Sequence, residues 1–257
     1  MNKQNLKAIF FSATDTTRRC VEMIAQAMEM PITVSVNLAD RNVRLPELND
    51  NDIVIVAAPV YGGRIPTLAA DKLKYLNGNG AKVIAMVVYG NRDYDDALLE
   101  LTDILTENGC KIYAAAAFIG QHSIFPKVGT SRPDKADLDK LAEFGRQCKV
   151  ALVSDIAKTD LSIKGNRPYK KYGGVPVHPV GSRKDCRKCG VCAEKCPVEA
   201  ISIEAPWETD TQKCISCGRC IFVCSSGSRG YSGIKYNLIG KVFVAGFSHR
   251  KEPEIFI

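Results

Sequence analysis

One cysteine spacing occurs twice near the C-terminal end of this chain, and it constrains the fold more than any other feature. The first run is Cys186-x-x-Cys189-x-x-Cys192-x-x-x-Cys196-Pro197, and the second is Cys214-x-x-Cys217-x-x-Cys220-x-x-x-Cys224. Two-residue gaps let three thiolates converge from one tight loop onto three corners of an iron–sulfur cube. Zinc sites also use C-x-x-C pairs, but as two pairs per ion and often with histidine, so two runs of four in matched spacing fit zinc poorly. A disulfide framework fits worse, because crowded spacings favour metal and nothing marks the chain as secreted. Met1, Asn2, Lys3 and Gln4 lead straight into a strand-like segment with no signal-peptide core. No apolar run approaches the roughly 20 residues of a membrane span. These features predict a soluble, cytoplasmic protein in a compartment that keeps its 11 cysteines free or metal-bound.

Over roughly residues 183–233 the duplicated cysteines resemble bacterial two-cluster ferredoxins, a small α+β domain. In that family the fourth cysteine of each run crosses to the other cluster. The resemblance therefore implies one [4Fe–4S] cluster on Cys186, Cys189, Cys192 and Cys224, and a second on Cys214, Cys217, Cys220 and Cys196. Ser225 stands where the first run has Pro197.

That module accounts for a small part of 257 residues, 46% of them hydrophobic. Residues 1–156 alternate between two periodicities. Leu6 to Phe11, Ile32 to Leu38, Asp52 to Ala58, Ala81 to Tyr89 and Lys111 to Ile119 read as strands. The runs from Asp52, Ala81 and Lys111 are apolar almost throughout, as expected of strands covered on both faces. Amphipathic stretches at 17–28, 67–76, 95–108 and 134–156 read as helices. Alternating elements imply an α/β domain, a doubly wound parallel sheet with right-handed crossovers. Ligands bind such sheets at the carboxyl ends of the strands.

The informative loops lie at those ends. Ser12-Ala13-Thr14-Asp15-Thr16-Thr17 puts four hydroxyls into six residues directly before a helix, which suits a phosphate held by neutral donors and the helix dipole. An ordinary N-cap would need only one of them. The loop resembles the flavodoxin phosphate loop S/T-x-T-G-N-T, with Ser12, Thr14 and Thr17 matching, Asp15 in place of Gly and Thr16 in place of Asn. Two more loops, Pro59-Val60-Tyr61-Gly62-Gly63 and Tyr89-Gly90-Asn91 with Tyr94, match those that grip the flavin ring in flavodoxins. The resemblance implies FMN, with Tyr61 and Tyr94 stacking on the ring and Gly62, Gly63 and Gly90 letting backbone approach it. His122, in the long segment 120–134, reads as a hydrogen-bonded loop histidine ahead of a proton donor. Cys20, Cys110 and Cys148 read as small core residues.

Residues 157–182, with Lys158, Lys164, Arg167, Lys170 and Lys171 among Gly and Pro, form an irregular connector. Residues 234–257 are too apolar for a free end, and are expected to pack back onto the protein. The formal charge is +7, but residues 1–156 hold 18 Lys and Arg against 19 Asp and Glu, whereas residues 157–257 hold 17 against 9. Each oxidised cluster with its thiolates adds roughly −2, and FMN a similar amount. The basic excess then reads as compensation for cluster charge and as complementary docking of the two halves, with no nucleic-acid motif beside it.

Over its whole length the chain resembles the flavodoxin–ferredoxin fusion family of iron–sulfur flavoproteins. The resemblance implies electron transfer between FMN and two clusters, and exchange with redox protein partners or a low-potential donor in anaerobic metabolism. The flavin edge is expected to face a cluster within one chain or across a homodimer. A flavoenzyme that reduces a small substrate at FMN is the alternative, and a cluster-based sensor a third. No G-x-G-x-x-G follows a strand, which disfavours direct reduction by NADH.

Overall fold

The computed structural model describes residues 6–154, 157 and 161–257; Lys158 of the connector, residues 155–156 of the fourth helix expected above and the first five residues lie outside them. Five parallel strands form the centre of the N-terminal part: β1 (Leu6–Phe10), β2 (Ile32–Asn37), β3 (Ile53–Pro59), β4 (Lys82–Tyr89) and β5 (Lys111–Ile119), in the order β2-β1-β3-β4-β5. This is the flavodoxin-like doubly wound order, with its switch point between β1 and β3.

The helices α1 (Thr16–Ala27), α2 (Thr67–Leu73), α3 (Ala97–Glu107) and α4 (Lys135–Val153) cover both faces. Cys20, Val21 and Ile24 of α1 meet Leu141, Phe144 and Cys148 of α4 on one side of the sheet. Leu73 of α2 and Leu98, Leu101 and Leu105 of α3 pack on the other. Because β3 and β4 are buried on both faces, their residues are apolar with no alternation. Burial pushes the Cys20 thiol up to about 12 and the Cys110 thiol to about 11, so both sit as unreactive core residues.

The cysteine-rich part holds α5 (Val191–Glu194) and α6 (Arg219–Phe222), with β6 (Val180–Gly181) paired antiparallel to β7 (Arg229–Gly230). Its two halves repeat in backbone as they do in sequence. Lys188 and Ser216, each before a second cysteine, both have φ 54°; Gly190 and Gly218, each after it, have φ 75° and 77°. These left-handed residues give the two cysteine loops the same turn.

After α7 (Ile234–Phe247) the chain ends in β8 (Glu254–Phe256), which pairs antiparallel with Ala115–Ala117 at the β5 edge of the large sheet. The added strand covers an edge that would otherwise expose unpaired backbone groups. The connector also holds to the sheet domain. Asp96 accepts from the Asn166 and Lys170 amides at 2.8 and 2.6 Å, and Asp103 pairs with Arg167 at 2.6 Å. Between the two parts, Arg219 pairs with Asp40 at 2.6 Å and Arg41 donates to the Cys196 carbonyl at 2.8 Å. Among the described residues no helix is long and apolar enough to cross a membrane.

Candidate functional site

A cavity of about 310 Å³ opens at the carboxyl ends of β1, β3, β4 and β5. Its walls include Ser12, Thr14, Thr16 and Thr17 after β1, Pro59, Val60, Tyr61, Gly62 and Gly63 after β3, and Tyr89 and Gly90 at the end of β4. Eleven residues singled out in the sequence thus converge on one space.

Local chemistry explains the shape of the first loop. Asn37 at the end of β2 clamps it, accepting from the Ser12 amide at 3.0 Å and donating to the Ser12 carbonyl at 2.9 Å. Asp15 stands at the N-cap of α1 with φ 64°, the left-handed conformation that the usual glycine supplies. Its carboxylate caps no backbone amide of the helix; it accepts instead from Nε and Nη2 of the Arg18 side chain, at 3.1 and 2.9 Å. The Arg18 hydrogen bond holds this carboxyl below its ordinary range. Asp15 therefore caps no amide of α1; the Arg18 amide donates instead to the Ser12 hydroxyl at 3.2 Å, and the Thr16 and Thr17 amides ahead of it suit an anion. The α6 end of the cysteine-rich part adjoins this loop: a Cβ on Gly218 would stand 3.5 Å from the Thr14 methyl, and the Nη1 of the next residue, Arg219, is buried without a hydrogen-bond partner.

The second loop closes through a two-residue turn. Tyr61 and Arg64 exchange backbone hydrogen bonds across Gly62 and Gly63, both at positive φ, and a Cβ on Gly63 would strike the Asp95 carboxylate. Glu100 fixes the far side by accepting from Arg64 at 2.7 and 2.6 Å and from the Ile65 amide at 3.1 Å. Such a buried bidentate pair is a rigid mount for the Tyr61 ring.

Two expected flavin contacts are corrected here. Tyr94 is 0% exposed, packs on Tyr89, and donates from its hydroxyl to Glu254 of β8 at 2.7 Å. Asn91 donates to the Phe247 and His249 carbonyls, both at 2.7 Å. Neither lines the cavity, because the returning C-terminal segment occupies their polar groups. Asp15 shapes the loop without lining the cavity either.

The roof comes from residues that carried no local signal. Gly174 to Val177 of the connector, Ile215 and Ser216 between two cysteines, and Ile239 and Phe243 of α7 all line the cavity. Ser216 is pinned by its bond to the Val177 carbonyl at 2.7 Å, and Phe125 stacks on Tyr236 of α7 at 5.3 Å. Only the unusual apolarity of the tail hinted at a partner.

His122 lines the cavity with its ring 4.7 Å from Phe243, and its Nδ1 accepts from the Ile124 and Phe125 amides at 3.2 and 3.1 Å. Burial first, then nearby Arg92, lowers its pKa from the ordinary 6.5 to about 4. Between those values the unfolded chain binds a proton that the folded one refuses. His122 stability is therefore full above pH 6.5, falls as pH drops toward 4, and levels off below. Relative to His122→Gln at the same pH, the wild type should lose about 2 kcal/mol of stability between pH 8 and pH 5. Thermal unfolding of both proteins at each pH measures it, and an unchanged difference would refute the assignment.

The crossed pairing expected above sorts the eight cysteines into two groups of four. Cys186, Cys189, Cys192 and Cys224 line one small cavity together with Arg229. Cys196 lies within electrostatic reach of Cys214, Cys217 and Cys220. Burial pushes the Cys217 thiol up to about 12. At Cys224 burial works upward too, but hydrogen bonding from Ser226 at 3.5 Å and Ser228 at 3.3 Å helps hold it down to about 6. Cys217 belongs to the same apolar cluster as Phe11 and Ala13, so the second group is packed directly against the sheet domain. Cys189 of the first group is exposed.

Comparison with known proteins matches residues 185–228 to the 4Fe-4S dicluster domain family. A curated relative, the trichloroethene reductive dehalogenase of Dehalococcoides mccartyi, is 29% identical over 154 residues, 53% of this chain and 27% of that protein. The chain thus spans about a quarter of the length of that relative. Among solved structures, a flavodoxin from the domain Archaea is similar over 58% of this chain and 99% of its own, with 15% identity and TM-score 0.44. Flavodoxin 2 from Bacillus cereus is similar over 59% and 99%, with 14% identity and TM-score 0.42. The fold assignment rests on the strand order described above. The chain joins a flavodoxin-like α/β domain to a C-terminal 4Fe–4S dicluster domain.

Proposed function

We propose that this flavodoxin–ferredoxin fusion is an electron-transfer protein that moves electrons between FMN in the 310 Å³ cavity and two [4Fe–4S] clusters, and between those and redox protein partners. One observation carries the proposal: Ile215 and Ser216, which lie between Cys214 and Cys217, are part of the cavity roof. A flavin there would lie against the cluster assigned to Cys214, Cys217, Cys220 and Cys196, within one chain and with no need of a homodimer. The other group, with exposed Cys189, becomes the outer cluster and the point of exchange with partners.

The residues fit these groups. The hydroxyls of Ser12, Thr14, Thr16 and Thr17 and the Thr16 and Thr17 amides of α1 would hold the FMN phosphate, and Arg219, paired with Asp40 through Nη2, has its Nη1 left to add a donor that the loop itself lacks. Tyr61 offers a ring face, Gly62, Gly63 and Gly90 allow backbone to approach, and His122, Phe125 and Phe243 exclude water from the other side. Bound FMN supplies one- and two-electron chemistry, and each cluster a single-electron step. Arg183, Lys184, Arg187 and Lys188 are exposed around Cys189, which suits a partner with an acidic face.

Anaerobically purified protein should carry one flavin and about eight irons per chain. After stopped-flow reduction with limiting dithionite, the cluster and flavin absorbance should equilibrate at a rate independent of protein concentration. A rate proportional to concentration would mean that the cofactors are insulated from one another and served by separate partners.

A further inference from the structure

The repeat that places the cysteines also places Arg229. Five residues after Cys196 stands Ile201, and five after Cys224 stands Arg229. Ile201 is 7% exposed and packs in the small apolar core of the cysteine-rich part; Arg229, at the matching position, is 4% exposed. One half of a duplicated core therefore uses an isoleucine where the other uses a cation.

The surroundings of that cation are neutral. Its guanidinium donates to the Pro206 carbonyl, to the Pro179 carbonyl at 3.2 Å, to the Glu208 carbonyl at 3.5 Å and to the Thr209 hydroxyl at 2.5 Å. No carboxylate lies within ion-pair distance of it among the described residues, and its Nε–H is buried without an acceptor. Burying a charge with only dipoles around it is costly, and the cost is borne only where an anion is close. The anions at hand are thiolates. Arg229 lines the cavity of Cys186, Cys189, Cys192 and Cys224, and Cys192 packs in one apolar cluster with Cys196, Cys220 and Cys214 of the other group, so the guanidinium stands close to both sets.

Resting on the cluster reading above, we infer that Arg229 is a buried countercharge shared by both [4Fe–4S] clusters, with Nε–H directed to a cluster sulfur, and that it favours their reduced states. A reduced cluster carries one more negative charge than an oxidised one, so a fixed cation stabilises it selectively, and more strongly in a low-dielectric site than in water. Arg229 is a positioning and tuning residue; the ligands remain the cysteines.

The test compares wild type, Arg229→Met and Arg229→Lys by iron and sulfide counts and by EPR at a fixed, mediator-poised potential. Arg229→Met keeps the volume and removes the charge. It should retain both clusters while the ratio of reduced to oxidised cluster falls at least tenfold at both sites; Arg229→Lys should stay within about threefold of wild type. A fully loaded Arg229→Met with the wild-type ratio would overturn the inference, as would Arg229→Lys behaving like Arg229→Met. If Arg229→Met does not load, a loaded Arg229→Lys with the wild-type ratio supports the countercharge, and failure of both variants refutes it in favour of a purely structural guanidinium. Wild-type protein without iron and sulfide would instead refute the cluster reading itself.

Discussion

Replacing Cys196 with alanine should abolish the cluster assigned to Cys214, Cys217 and Cys220, leave its neighbour assembled, and disconnect the flavin. Cys196 packs in one small apolar cluster with Cys220 and Cys214, whereas Cys224 shares a cavity with Cys186, Cys189 and Cys192. The Cys196→Ala protein should therefore match Cys217→Ala in its EPR spectrum and lose about half its iron, since each cluster holds four irons. Because Ile215 and Ser216 put the affected cluster against the cavity, flavin reduction in that variant should become dependent on protein concentration. Cys224→Ala should lose the outer cluster and keep rapid exchange between flavin and the inner one. A Cys196→Ala spectrum matching Cys189→Ala would show that the fourth ligands do not cross.

The second large effect concerns the flavin phosphate. Thr14 and Thr17 both line the cavity at the N-terminus of α1, where the N-cap residue Asp15 makes no side-chain bond to the helix amides. A hydrogen bond to a charged group is worth about 1.5–3 kcal/mol, so losing two should weaken FMN binding by on the order of 10² to 10⁴ fold. In Thr14→Ala/Thr17→Ala protein, fluorescence titration should show that loss for FMN and little change for riboflavin, which has no phosphate. Iron content should be unaltered, since neither threonine is among the eight cluster-ligand candidates and the cysteine-rich part keeps its own apolar core. Equal weakening of both flavins would mean that the loop does not hold the phosphate.

The parts legible in the sequence were those whose physics is local. A 2-2-3 cysteine spacing states its own geometry because three ligands come from one loop, and the left-handed Lys188, Gly190, Ser216 and Gly218 repeat that geometry in both halves. The buried strands β3 and β4 announced themselves because a strand covered on both faces has no polar side to show. The hydroxyl loop was readable for the same reason: strand, loop and helix follow one another in the chain.

Tertiary structure decided whatever depended on residues far apart in sequence. Tyr94 stands after β4 as a stacking residue would, yet Glu254, 160 positions away, takes its hydroxyl, and Tyr89 and the Lys164 ammonium lie against its ring. Asn91 was diverted in the same way by the Phe247 and His249 carbonyls. Ile215, Ser216 and Phe243 have no flavin-binding signature, and they line the cavity only because the cysteine-rich part and α7 fold over the sheet. Arg229 reads as a surface cation in any local window; the backbone repeat that matches it to Ile201 turns it inward among thiols. Ligand spacing and strand burial are encoded over a few residues and survive in a linear reading. Which side chain meets which across 100 residues or more depends on how two packed units close on each other, and no short pattern carries that.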